Sequence, residues 1–177
     1  SNTIQQHLRI DDNKNKFPKF SDEKKVKIHR DLVGKIKSGT ISKDSTGEYY
    51  IAIIVEKQIE ISVVKTNEIG IDVGIKDFAI CSNGERFNNQ KILKKYEIKL
   101  QKKQKSLSKK KKGSKNRQRA RMVVAKIHKK IKNSRIDYIH KISNKITNEN
   151  QVIVLEDLNI KGMMKNHKLA KSIGDVS

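Results

Sequence analysis

Tryptophan is absent from this 177-residue chain, and proline and cysteine occur once each, as Pro18 and Cys81. A single cysteine excludes an intramolecular disulfide and any cysteine-built zinc site within the chain. Aromatic residues make up 5% and hydrophobic residues 34%, so only modest cores are expected, although the apolar residues cluster into periodic runs typical of a folded protein. No run of 18 apolar residues and no secretory leader is present, and a cytoplasmic protein is expected. The five histidines (His7, His29, His128, His140 and His167) show no ligand-like pairing. Walker, Rossmann and Ser-His-Asp patterns are also missing. The first residue is not Met and the last follows a helix pattern; the chain reads as a fragment, with Ser1-Asn2 as a cloning scar.

Acidic side chains are the other scarcity. Nineteen Asp and Glu stand against 41 Lys and Arg, for a net charge of +22. Residues 91–135 hold 20 Lys or Arg and one acid, Glu97, so +19 of that charge lies on one segment. Like charges at that density repel unless a polyanion neutralises them, which points to nucleic acid. A membrane is not the expected partner, because no helix pattern sets a basic face against a Trp, Phe and Leu face. The candidate phosphate contacts are Lys109, Lys110, Lys111, Lys112, Lys115, Arg117, Arg119, Arg121 and Arg135. Such contacts carry affinity but little sequence information. Tyr96 and Tyr138 could stack on bases, yet their helical spacing favours packing.

Residues 1–68 read as a small antiparallel β-barrel. Residues 26–30, 35–42, 48–55 and 59–63 are strand candidates, Ser45-Thr46-Gly47 is a turn, and Pro18 marks an extended entry segment. A second domain, residues 69–177, opens with the strand Ile69-Gly70-Ile71-Asp72-Val73-Gly74. Residues 77–81 return as a strand, Asn83-Gly84 is a hairpin signal, and residues 85–87 form a third strand. Residues 91–112 and 115–149 then form a helical hairpin, broken at Gly113 with Ser114 as a cap. Residues 151–157 return to the sheet, and residues 160–172 form a last helix. The fold class is α/β (α+β).

Three antiparallel strands, a helical crossover and a parallel strand follow the order of an RNase H-like sheet. In that order Asp72, in strand one, lies beside Glu156, at the end of strand four. Period-2 alternation puts Ile69, Ile71 and Val73 on one face of the first strand and Gly70, Asp72 and Gly74 on the other. The side-chain-free neighbours leave room above Asp72. Two adjacent carboxylates repel, and hard divalent ions, Mg²⁺ or Mn²⁺, relieve the repulsion. Asp72 and Glu156 are therefore the candidate metal-binding and catalytic residues. Asp157 shares parity with Ile153 and Leu155 and faces away, and Asp77 reads as a turn or surface acid.

These residues resemble the insertion-sequence TnpB (OrfB) proteins, ancestral to type V CRISPR effectors. The likeness rests on Gly70-Ile71-Asp72-Val73-Gly74-Ile75-Lys76-Asp77-Phe78-Ala79, on Lys112-Gly113-Ser114-Lys115-Asn116-Arg117, on Asn133-Ser134-Arg135-Ile136-Asp137 with His140-Lys141-Ile142-Ser143, and on Val154-Leu155-Glu156-Asp157-Leu158-Asn159-Ile160-Lys161-Gly162-Met163. Pro18-Lys19 and Gly47-Glu48-Tyr49-Tyr50 are similar to that family's preceding barrel segment. The resemblance implies a RuvC nuclease domain and an RNA-guided, Mg²⁺-dependent DNA endonuclease, with DNA and a guide RNA as partners. Asp72 matches the family's first RuvC carboxylate and Glu156 its second. The third lies beyond a four-cysteine zinc ribbon, and neither occurs among these residues; Asp175 matches a helix position instead.

Two function classes stay open on the sequence. One is a nuclease, complete only with a further segment. The other is a module that binds RNA or DNA without cutting. A purely structural basic protein would not account for the placed acids.

Overall fold

The computed structural model describes residues 2–4, 9–10, 15–16, 26–29, 31–58 and 67–176. The chain divides into two compact units, Ser1–Ser62 and Val63–Ser177.

In the first unit, β1 (Asn2–Ile4), β4 (Lys35–Lys43) and β5 (Tyr49–Glu56) form a three-stranded antiparallel sheet, in the order β1-β4-β5. β2 (Arg9–Ile10) and β3 (Asn15–Lys16) form a separate two-stranded hairpin. The β4–β5 turn is built by Asp44, whose Oδ1 accepts from the amides of Thr46 and Glu48 and from the Thr46 hydroxyl. Thr46 is buried by this arrangement. The expected barrel is corrected here: among the described residues the strands form no closed barrel. Residues 26–29 lie outside any strand, Arg30, residues 59–63 and Pro18 fall outside the described residues, and the third strand of the sheet comes from β1. Asn2-Thr3-Ile4 is too short and polar for alternation to mark it as a strand.

The second unit holds a four-stranded sheet in the order β8-β7-β6-β9. Its strands are β6 (Glu68–Val73), β7 (Asp77–Cys81), β8 (Arg86–Asn88) and β9 (Val152–Leu155). β6, β7 and β8 run antiparallel in succession, and β9 lies parallel to β6. Two helices make the crossover, α1 (Ile92–Ser108) and α2 (Lys115–Glu149). At 1.5 Å per residue, the 35-residue α2 is about 52 Å long.

Two apolar clusters hold this unit together. Ile69, Ile71, Ala79 and Cys81 from the sheet pack against Ile142 and Ile146 of α2, with Phe78, Phe87, Tyr138 and Ile153 around them. Leu100 of α1 packs against Val124, Ile127 and Ile131 of α2, joined by Ile92, Leu93, Tyr96 and Leu107. α2 therefore serves both cores along one apolar stripe, which explains its length.

A β-bulge in β7 shapes the sheet. The β7–β8 register advances two residues on β7, from Asp77 to Ala79, for one on β8, from Asn88 to Phe87. Phe78 is the additional residue, and it packs with Ala79 into the helix-side core. Its ring meets Tyr138 edge-on at 5.4 Å.

α1 is shorter than the sequence pattern predicts. Residues 109–112 form a turn, ended by Gly113 at φ 83°, a conformation that a side chain would strain. Ser114 caps α2 as expected, its Oγ accepting from the Arg117 amide. The single helix expected at 160–172 is two helices, α3 (Ile160–Met163) and α4 (His167–Val176). Asn159 Oδ1 caps the Gly162 amide, and the Asn166 carbonyl takes the Ala170 amide to start α4.

Candidate metal site and nucleic-acid interface

The helix-facing side of the sheet is occupied by Ile69 and Ile71, so Asp72 stands on the opposite, exposed face. β9 runs beside β6 with Ile69 opposite Ile153, Gly70 opposite Val154 and Ile71 opposite Leu155. One register step further are Asp72 and Glu156, on neighbouring chains that in a sheet lie about 4.8 Å apart. Glu156 follows β9 directly and is exposed, in the parity of Val152 and Val154, which are 43% and 61% exposed. Asp157 is exposed as well, in the opposite parity.

The room expected beside Asp72 needs refinement. Gly70 donates its amide to Ser82 Oγ at 3.1 Å, and a Cβ at Gly70 would sit 3.8 Å from Ser82 Cβ, so that space is partly filled. A Cβ at Gly74 would sit 3.1 Å from the Asp77 carbonyl, so the β6–β7 turn itself explains the glycine there.

Asp72 and Glu156 are hard oxygen donors suited to a divalent cation with oxygen preference. Among the described residues, no three His, Cys, Asp or Glu side chains are grouped to hold a metal ion. Asp77, expected as a turn or surface acid, is the first residue of β7; its side chain is 19% exposed and faces Arg86, with Nη1 to Oδ2 at 3.7 Å.

The basic residues fall into three groups. Lys109, Lys110, Lys111 and Lys112 form the exposed hairpin tip, and Lys115, Arg119 and Arg121 continue exposed along the start of α2. Arg117 does a structural job: its Nη1 donates to the carbonyls of Leu107 and Lys110, at 3.1 and 3.0 Å, and closes the tip. Arg135 departs from its expected role as a phosphate contact. It pairs with Asp175 at 3.1 Å, its side chain is 22% exposed, and its Nε is buried without a hydrogen-bond partner among the described residues. A guanidinium held this way by a neighbouring carboxylate is a poor phosphate contact.

Sequence reasoning passed over two features. Asp175 Oδ1 accepts both from Arg135 and from the Leu93 amide at 2.7 Å, so it caps α1 from α4. Nothing in the local sequence pairs residues 82 positions apart. The other feature is a shallow groove on α1, of about 430 Å³, lined by Lys95, Ile98, Lys99, Lys102, Lys103 and Ser106. Its helical spacing was legible in the sequence. Tyr96 and Tyr138 both serve packing: Lys130 lies 5.7 Å over the Tyr96 ring, and the Tyr138 hydroxyl donates to the Asn88 carbonyl. Beneath the sheet, Cys81 is buried, and burial followed by the charge of Glu85 pushes its thiol above the ordinary range. Lys145 pairs with Glu85, which raises the lysine.

Among the described residues no helix is long and apolar enough to cross a membrane. The OrfB_IS605 family model, described as a probable transposase, matches residues 52–167, a span that contains Asp72, the hairpin and Glu156. A Streptomyces pristinaespiralis protein bearing the name RNA-guided DNA endonuclease is 38% identical over 138 residues, covering 78% of this chain and 34% of that protein. An Escherichia coli K12 protein named RNA-guided DNA endonuclease InsQ is 33% identical over 137 residues, covering 77% of this chain and 34% of its own length. The chain spans about a third of the length of these curated relatives. It belongs to the OrfB_IS605 family of probable transposases, the family of the insertion-sequence TnpB proteins.

Proposed function

We propose that this chain carries the first two metal-binding carboxylates and a major nucleic-acid grip of a RuvC-type, RNA-guided DNA endonuclease. The observation that supports this best is the parallel pairing of β6 with β9, whose last pair, Ile71 with Leu155, stands immediately before Asp72 and Glu156. In this reading the small β-sheet unit corresponds to the family's barrel segment, and DNA and a guide RNA are the partners.

Asp72 and Glu156 would hold Mg²⁺ or Mn²⁺, and such an ion when bound supplies charge neutralisation and an activated water for phosphodiester hydrolysis. The chain's own contribution is to hold two carboxylates on a rigid sheet and to neutralise phosphates. Lys109, Lys110, Lys111, Lys112, Lys115, Arg119 and Arg121 are the exposed cations suited to that, and Arg117 orders the tip that presents them.

A second reading is favoured by one observation: the described residues contain no third acid beside the pair. Two-metal cleavage needs enough ligands to fix both ions, and a misplacement of about 1 Å can cost 10²-fold in rate. On its own, the 177-residue chain then binds nucleic acid and cuts poorly or not at all. The test is a Mn²⁺ titration with a cleavage assay, on the chain and on Asp72→Ala and Glu156→Ala. The nuclease reading expects Mn²⁺ binding that either substitution weakens, and cutting restored in a longer chain that supplies a third acid. Mn²⁺ binding indifferent to both substitutions would overturn it. Guide-dependent cleavage by the 177-residue chain, lost in Asp72→Ala, would show that two carboxylates suffice or that a second protomer completes the site.

A further inference from the structure

The acid face carries one cation in line with Asp72. Across the sheet, Asp72 pairs with Ile80 and Ile80 pairs with Arg86, so the three occupy one row and share one face. Extended the other way, the same row reaches Glu156. Two strand spacings separate the backbones of Asp72 and Arg86, roughly 10 Å. Ile80 between them presents a short apolar surface with no competing charge.

The bulge at Phe78 gives the guanidinium a direction. With Phe78 turned into the core beside Ala79, Asp77 returns to the open face opposite Asn88, diagonal to Arg86. The contact of Arg86 with Asp77 draws its head toward the β6–β7 turn, the end of the sheet at which Asp72 and Glu156 stand. The Arg86 side chain remains 64% exposed, and its contact with Asp77 at 3.7 Å, the one ion pair it makes among the described residues, leaves most of its N–H donors available. A planar guanidinium matches a phosphate by two parallel hydrogen bonds, which a lysine cannot reproduce.

We propose that Arg86 is a phosphate-anchoring residue of the acid face. It holds a backbone phosphate of the bound strand next to the one engaged at Asp72 and Glu156, and so fixes the path of that strand across the sheet. Asp77 is a positioning residue that aims the guanidinium. The proposal rests on the metal-site reading above, and its ligand is a nucleic-acid backbone.

The experiment is a double-mutant cycle on DNA binding by the 177-residue chain, read by fluorescence anisotropy with a short single strand, in EDTA and in Ca²⁺. Ca²⁺ is expected to tighten binding in the wild type and not in Asp72→Ala. Arg86→Gln is expected to weaken the Ca²⁺ state roughly tenfold, the scale of one charge-assisted contact. It should also lower the salt slope by about 0.7, the value for one single-strand phosphate. Arg86→Lys should recover part of the loss. In the Asp72→Ala background, Arg86→Gln should have little effect, because the strand no longer crosses the row. An equal loss in both backgrounds, or no loss in Ca²⁺, would overturn the assignment while leaving the metal site intact. A wild type indifferent to Ca²⁺ would overturn the metal site itself, and the role of Arg86 with it.

Discussion

Arg135 shows how burial reassigns a charged residue. Its guanidinium and the Asp175 carboxylate are 22% and 11% exposed, and the same carboxylate oxygen caps the start of α1. Removing one partner leaves the other charge poorly solvated. Asp175→Ala should therefore destabilise the second unit toward the lower end of roughly 3–5 kcal/mol, read as a lower urea midpoint. Replacing both residues by apolar ones of similar volume should recover much of that loss; a double variant as unstable as the single would argue that the helix cap matters more than the charge pair. Cys81 offers a second test. Its thiol is buried and pushed upward, first by burial and then by Glu85. Disulfide reagents should label it slowly in the native state and quickly in urea, since the thiolate is the nucleophile. The unfolded thiol ionises near its ordinary value of about 8.5, while the folded one keeps its proton, so stability should fall as pH rises through that value. Lys145, also raised, acts the same way at still higher pH, because the folded state holds its proton longer. Urea midpoints that stay level from about pH 7 to about pH 10 would contradict the Cys81 shift, and midpoints that stay level from about pH 10 to about pH 11.5 the Lys145 shift.

At the scale of elements, the hairpin depends on a few backbone decisions at its tip. Gly113 sits at φ 83° and Ser114 caps α2. Gly113→Ala should cost about 1–2 kcal/mol through left-handed strain, and Ser114→Ala about 1 kcal/mol through the lost cap. Leu100, buried between the helices, should cost more, about 2–5 kcal/mol on truncation to Ala. Urea unfolding of the three variants would order them; a Leu100→Ala variant as stable as wild type would mean that α1 does not need α2. The sheet depends in a comparable way on the Phe78 bulge. It lets neighbouring residues Phe78 and Ala79 share the core, and it returns Asp77 to the face that holds Asp72.

For the whole molecule, charge outweighs every other property. A chain of net charge +22, with the exposed tip lysines clear of the apolar cores, should bind nucleic acid mainly through phosphates. Neutralising on the order of 6–10 phosphates makes affinity fall roughly 10³–10⁵-fold between 50 and 200 mM salt. Changing Lys109, Lys110, Lys111 and Lys112 to Gln should reduce the slope of log affinity against log salt by about 3, at roughly 0.7–0.9 per contact. Filter binding across a salt series measures this. A flat response in the wild type, or an unchanged slope in the variant, would place the grip elsewhere, with the lysine groove of α1 as the next region to change.

The sequence by itself determined the order and type of elements in the second unit as far as β9. Alternation marked β6 and β7, Asn83-Gly84 marked their return through β8, and steps of three and four marked α2, because these patterns are local consequences of backbone geometry. It also singled out Asp72 and Glu156, since a carboxylate is conspicuous beside buried apolar strands. Tertiary structure decided what local pattern cannot carry. The partner of Arg135 lies forty residues away, the cap of α1 comes from α4, and the strand completing the first sheet comes from the start of the chain. Asp77 and Arg86 reach the acid face only through a bulge and a register, which depend on pairing between strands and on the space that Phe78 finds against Tyr138. Hydrogen-bond capacity and packing volume at distant positions settle such choices, and neither has a period along the chain.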